Sequence, residues 1–234
     1  MTIAPLDSVS HADVRLKAAR GAQSGDPLGQ IGVYAEEFVL VQREYPILFT
    51  RDEDDLLQPI AILGLTAQEN LFASDRGWQA SYIPALVRRG PLMIGRARSE
   101  DPAVHIDMAH ARIAADGQDG YPLFLEHGGQ APALVDAVDA LQLIHRGEGA
   151  RAAMSEIFQR HELVKPLPIS INIDDTTTIQ FENFSAILPE TLADLPAETL
   201  GELNSAGLLV PAVMAAHSLG NINALADRRQ GRSL

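Results

Sequence analysis

Val33-Tyr-Ala-Glu-Glu-Phe-Val-Leu-Val-Gln-Arg-Glu-Tyr-Pro-Ile-Leu-Phe49 is the stretch on which the reading of this chain turns. Phe38, Val41 and Tyr45 recur at three- and four-residue intervals, so a helix gathers them on one face and leaves Glu37 and Glu44 together on another. Pro46 ends that helix, because its ring disfavours the α conformation at Tyr45, and Ile47 to Thr50 follow as an extended run. The segment predicts a short helix that turns at a proline into a sheet.

Downstream, Arg51-Asp-Glu-Asp-Asp55 reads as an acidic turn and Pro59 to Leu65 as a buried strand, so the two runs make an antiparallel hairpin. The turn lacks the glycine and distal glutamate of a calcium-binding hand and reads as solvated. Upstream, His11 to Lys17 reads as a packed edge segment and residues 21 to 29 as a surface loop. Trp78, the only tryptophan, stands near Tyr82 and Pro84 and ahead of Arg88 and Arg89. This cluster reads either as a recognition surface or, since Trp78 and Tyr82 are four apart, as the inner side of a short helix. Pro91 to Ala97 and Val104 to Met108 are the next strands. Leu134, Val138, Leu141 and Ile144 then predict a helix ending near Gly147, and Met154, Ile157, Phe158 and His161 a second, the two joined by Arg146 to Gly149. After Pro166 a hairpin is expected, with strands at Leu167 to Ile173 and Ile179 to Leu188 around an Asp174 to Thr178 turn. Short helices start near Pro189 and Pro196. Leu208 to Leu219 is buried as strand or helix, and Ile222 to Arg229 is helical.

The expected fold is therefore α+β. It has a strand-rich region at 1–130, a helical pair at 131–165 packed on it, and a smaller α/β part at 166–234, continuous as one domain.

Composition narrows the functions. A net charge of -13 argues against nucleic acid as the main ligand, since duplex binding draws on Lys and Arg against phosphate. Arg88, Arg89, Arg96 and Arg98 form a basic island within this acidic chain, suited to a carboxylate or phosphate or to ion pairs with neighbouring acids. The absence of cysteine removes disulfides and thiolate chemistry. Neither a secretory leader nor an apolar run of membrane-spanning length is read, so the expected location is the cytoplasm. A homodimer is compatible with either a binding protein or an enzyme.

Several segments in order carry a resemblance: His11 to Leu16, Glu37-Phe38, Arg43-Glu-Tyr-Pro-Ile-Leu-Phe49, Gly64-Leu65, Asn70-Leu-Phe72, and Trp78 through Tyr82-Ile-Pro-Ala85 to Arg88-Arg89. Ile106-Asp107, Leu123-Phe124 and the closing Glu198 to Leu219 continue it. Together they resemble the SapC family, named after a bacterial surface-layer-associated protein and distinct from the peptide-transporter permease of the same name. The family's typical Arg-Tyr-Pro-Phe is here Arg89-Gly90-Pro91-Leu92, without its two aromatic rings. The resemblance implies an accessory role beside surface-layer or TonB-dependent uptake systems, recognising a peptide, a polymer or a partner enzyme. It supplies no established catalytic residues to carry over, and the expectation for this chain is no cofactor.

The expected binding residues are Glu37, Arg43, Glu44, Tyr45, Trp78, Tyr82, Arg88 and Arg89. The alternative is a non-haem iron oxygenase or other small-molecule enzyme. His105 and Asp107 lie two apart, so a strand points both the same way, and His127, His145 or His161 would complete a two-histidine, one-carboxylate iron site. The resemblance carries Asp107 but not His105. An acid–base pair of Glu37 or Glu44 with His11 or Tyr45 is a third idea, set against a plain Arg43–Glu44 ion pair. His217-Ser218 lacks a nucleophile elbow, and no phosphate-binding glycine motif occurs.

Overall fold

Tyr34 leads the chain into a 3-10 turn at Ala35–Glu37 and then a single α-helical turn at Phe38–Val41, in a computed structural model that describes residues 3–18, 24–26, 28–96, 102–114, 120–172 and 178–231. The helix is shorter than the spacing predicts, but Tyr45 still donates its N–H to Val41 O at 2.9 Å. Phe38, Val41 and Tyr45 are all fully buried, as their spacing predicts.

In chain order the elements are β1 (Ile3–Pro5), β2 (Arg15–Leu16), β3 (Gln30–Gly32) and α1 (Phe38–Val41). Next come β4 (Ile47–Arg51), β5 (Leu57–Ile62), β6 (Ala73–Ser74), β7 (Gly77–Trp78) and α2 (Ala85–Arg88). The middle holds β8 (Leu92–Arg96), β9 (Pro102–Asp107), β10 (Tyr121–Pro122) and α3 (Pro132–Arg160). Then follow β11 (Val164–Pro166), β12 (Ile169–Asn172), β13 (Thr178–Phe181) and β14 (Ser185–Ile187). The last helices are α4 (Pro189–Ala193), α5 (Ala197–Ser205), α6 (Leu209–Ser218) and α7 (Asn221–Arg229). The fold is α+β.

These elements divide into two units, one of Met1–Pro27 with Phe72–His145 and one of Leu28–Leu71 with Arg146–Leu234. The first unit contains the antiparallel sheet β1-β9-β8 and the pairs β10-β2 and β6-β7. Its core is Leu16, Leu92, Ile106 and Leu123 packed with Leu134, Ala137 and Leu141 from α3.

The second unit contains a five-stranded sheet in the order β11-β14-β4-β5-β3 and the hairpin β12-β13. The hairpin foreseen around the acidic turn is present as β4-β5, with Ile47 opposite Ala61 and Phe49 opposite Pro59. Asp52 does more than meet solvent in that turn. Its Oδ1 accepts the N–H groups of Asp54 and Leu56, and its other oxygen pairs with Arg151, whose hydrogen bond holds the carboxyl below the usual carboxylate range. Ser155 accepts the Leu57 N–H at 2.9 Å and Ser218 the Ile47 N–H at 2.8 Å, so two helical hydroxyls satisfy buried strand donors.

Three expectations are corrected. The foreseen helical pair is one helix, α3, unbroken through Gly147 and Gly149. Gly147 is buried with the Tyr34 ring against it, so there the glycine serves close packing rather than a break. Ile179 to Leu188 is two strands, because Asn183 takes a left-handed φ of 66° between β13 and β14. Trp78 and Tyr82 do not share a helix: Trp78 ends β7 and α2 begins only at Ala85. Ile173 of the expected strand, residues 174–177 of the expected turn, residues 21–23 and 27 of the expected loop, Ala97 and Arg98 lie outside the described residues.

The stretch Leu209–Arg229 is long and apolar enough by composition to cross a membrane. It folds as two helices, α6 and α7, and α6 buries Pro211, Ala212, Ala215 and Ala216.

Candidate functional site

Pro84 sets up the candidate site. Its carbonyl accepts the N–H groups of Val87 and Arg88, starting the single turn of α2 and placing Arg88 at the helix end, where a cation suits the dipole. Arg88 Nε and Nη2 both donate to Asp136 Oδ1, at 3.0 and 2.6 Å, and Nη2 also donates to the Asp136 carbonyl at 3.3 Å. Burial disfavours the Arg88 charge, but Asp136 and then Tyr82, hydrogen-bonded to the guanidinium, outweigh it and raise its pKa. Arg89 diverges and donates to Leu92 O at 3.0 Å, fastening the helix end to β8.

Arg112 completes the arrangement. Its Nε donates to Lys17 O at 3.0 Å and its Nη1 to Val87 O at 2.7 Å, which ties β2, α2 and the Arg112 loop together. Burial pulls its pKa down, opposed by the charges of Asp26 and Asp136. Arg76, Trp78, Arg88, Arg112, Tyr121 and Asp136 thus line an open groove of about 380 Å³ within the first unit. Tyr121 presents its ring at 63% exposure. The sequence points to Trp78 and Arg88 here. Arg112, Tyr121 and Asp136 carry no local signal, because they reach the groove only through tertiary packing.

The other expected binding residues belong to the second unit, so neither unit by itself assembles all eight into one face. Glu37 and Tyr45 are both fully buried: the Glu37 carboxylate accepts the Tyr34 N–H at 3.0 Å. Glu44 pairs with Arg228 at 3.3 Å rather than with Arg43, which is exposed. His11 is buried beside Asp7 in the first unit, whereas Glu37, Glu44 and Tyr45 belong to the second.

His105 and Asp107 do lie on one face of β9. His105 Nδ1 lies 3.1 Å from Ala103 O, with its ring against Gly95, while Asp107 Oδ1 accepts the Ala109 N–H at 3.0 Å in a turn. His127 and His145 are exposed, and His161 pairs with Glu202 at 2.8 Å in the second unit. Among the described residues no group of three or more His, Asp or Glu is placed to hold a metal ion.

One titration touches the groove wall. His110 Nδ1 accepts the Arg112 N–H at 3.1 Å, and burial, then the Arg112 charge, lowers the His110 pKa. A lowered imidazole pKa means that the unfolded chain takes up the proton first. The stabilisation is therefore complete above the unfolded value of roughly 6.5 and is lost as pH falls through it toward the folded value. Thermal melts between about pH 7.5 and about pH 5.5 are expected to show this loss, and His110→Gln to flatten the slope. An unaltered slope in the variant would contradict the assignment.

The SapC family model matches residues 6–225. No curated protein and no solved structure matches the chain.

Proposed function

The chain belongs to the SapC family, and from that membership we propose that it is a non-catalytic accessory protein that recognises a peptide segment, free or on a partner enzyme, in the groove around Trp78 and Arg88. The observation that carries this reading is the make-up of the groove. An indole and an exposed phenol stand beside the half-buried guanidinium groups of Arg88 and Arg112, with Ile83 and Val87 supplying an apolar wall. Tryptophan, tyrosine and arginine are the residues in which binding energy concentrates at protein surfaces. An extended peptide offers apolar and polar groups at the spacing such a groove can take. A place beside surface-layer or TonB-dependent uptake systems is what the family resemblance implies for the partner.

A peptide array probed with the purified protein tests this. Trp78→Ala or Arg88→Ala is expected to weaken binding to positive spots by about tenfold or more, a typical loss for a central anchor. Glu126→Ala, exposed in the same unit and outside the groove lining, is expected to leave binding unchanged. Binding indifferent to both groove substitutions would defeat the proposal.

A further inference from the structure

We infer that the groove is specific for a carboxylate-bearing peptide, and that the Asp136 side chain holds the position that the ligand carboxylate takes. The inference rests on the peptide-binding reading above and names the chemical group recognised.

Charge comes first. Among the described residues, three guanidinium groups, from Arg76, Arg88 and Arg112, line the groove with one carboxylate, that of Asp136, and the Asp26 charge also acts on Arg112, which leaves an excess of positive charge in a chain whose net charge is -13. Local positive charge on a negative molecule selects an anionic ligand group. The geometry of the pair comes second. Arg88 is the sheltered partner, at 20% side-chain exposure, and Asp136 the open one, at 55%. Both charge-assisted bonds from Arg88 end on the single oxygen Oδ1, so the fork of the guanidinium is not matched to both carboxylate oxygens. If the Asp136 side chain turns outward, Arg88 keeps its bond to the Asp136 carbonyl and its contact with Tyr82. The guanidinium therefore stays in place for an incoming carboxylate. Arg112 is anchored by two backbone carbonyls and adds a fixed positive field without needing to move. Trp78 and Tyr121 flank this centre and suit an apolar residue next to the ligand carboxylate.

Trp78 is the only tryptophan, so its emission reports on this groove. The probes are acetyl-Ala-Ala-Phe as the free acid, the same peptide as its C-terminal amide, acetyl-Ala-Glu-Phe amide, and inorganic phosphate. One or both carboxylate peptides are expected to give a saturable change, and which of them does so distinguishes a chain terminus from an acidic side chain. The neutral amide is expected to bind about tenfold more weakly or worse, the usual effect of losing one charge-assisted contact. Asp136→Asn removes the internal competitor and is expected to tighten carboxylate binding several-fold, while Arg88→Gln abolishes it. Circular dichroism checks that Arg88→Gln is folded, and the Asp136→Asn arm decides the matter if it is not. Equal binding of acid and amide overturns the inference but leaves a peptide groove standing. An emission that no peptide changes overturns both readings, as does a response to phosphate alone. Weaker carboxylate binding in Asp136→Asn makes Asp136 a structural partner and overturns the inference.

Discussion

Replacing Phe158 with alanine is expected to lower stability by about 3–5 kcal/mol, the range for deleting a buried ring whose cavity cannot collapse. Phe158 is fully buried and meets Phe49 edge to face, with ring centroids 6.2 Å apart; Phe49 meets Phe38 in the same manner at 6.4 Å. The three rings join the C-terminal part of α3, β4 and α1, so the void opens where these three elements meet within the second unit. Collapse is hindered because α3 is fastened there. One turn before Phe158, Ser155 is buried and holds the Leu57 N–H, and on the previous turn Arg151 holds Asp52. Trp78 belongs to the other unit, so urea unfolding followed by circular dichroism is the appropriate measurement. Phe158→Leu is expected to retain much of the lost stability. A loss below about 1 kcal/mol in the alanine variant would mean that the aromatic junction does not hold the unit together.

The legible parts of this fold rest on neighbours in sequence. The Phe38, Val41 and Tyr45 stripe, the break at Pro46 and the β4-β5 hairpin each follow from residues within a few positions of one another, and all are present. The partition into two interleaved units was not legible, because it depends on distant pairings. β14 joins the sheet through Ser185 opposite Phe49, and β3 joins on the far side through Ile31 opposite Ala61. The same limit shaped the candidate site. Trp78 and Arg88 stand out as residue types, but Asp136 reaches Arg88 across 48 positions, and Arg112 reaches the Val87 carbonyl across 25. The burial of Glu37 is a related case. An acid beside a helical apolar stripe reads as exposed until the backbone N–H that it satisfies is known, and that donor belongs to Tyr34, at the entry to the turn.

Gly147 and Gly149 make the sharpest test of that limit, since in sequence they are equivalent signs of a helix end and in the structure they are opposites. A methyl group built on Gly147 falls among the Tyr34 ring carbons, whereas nothing lies within 4 Å of one built on Gly149. Tyr34 cannot easily give way, being buried with its hydroxyl donating to Glu148 Oε1 at 2.8 Å. Gly147→Ala is therefore expected to destabilise the protein by about 1–3 kcal/mol through overpacking, despite the helix propensity that alanine gains. Gly149→Ala is expected to stabilise it by about 0.5–1 kcal/mol, because the helix gains backbone restriction without a clash. If the Tyr34 ring is the cause, Tyr34→Ala and Gly147→Ala together will be less destabilising than the sum of the two alone, a positive coupling that a double-mutant cycle measures directly. Equal effects of the two glycine substitutions, or strict additivity in the cycle, would show that the close approach of Tyr34 to α3 is not what keeps residue 147 a glycine.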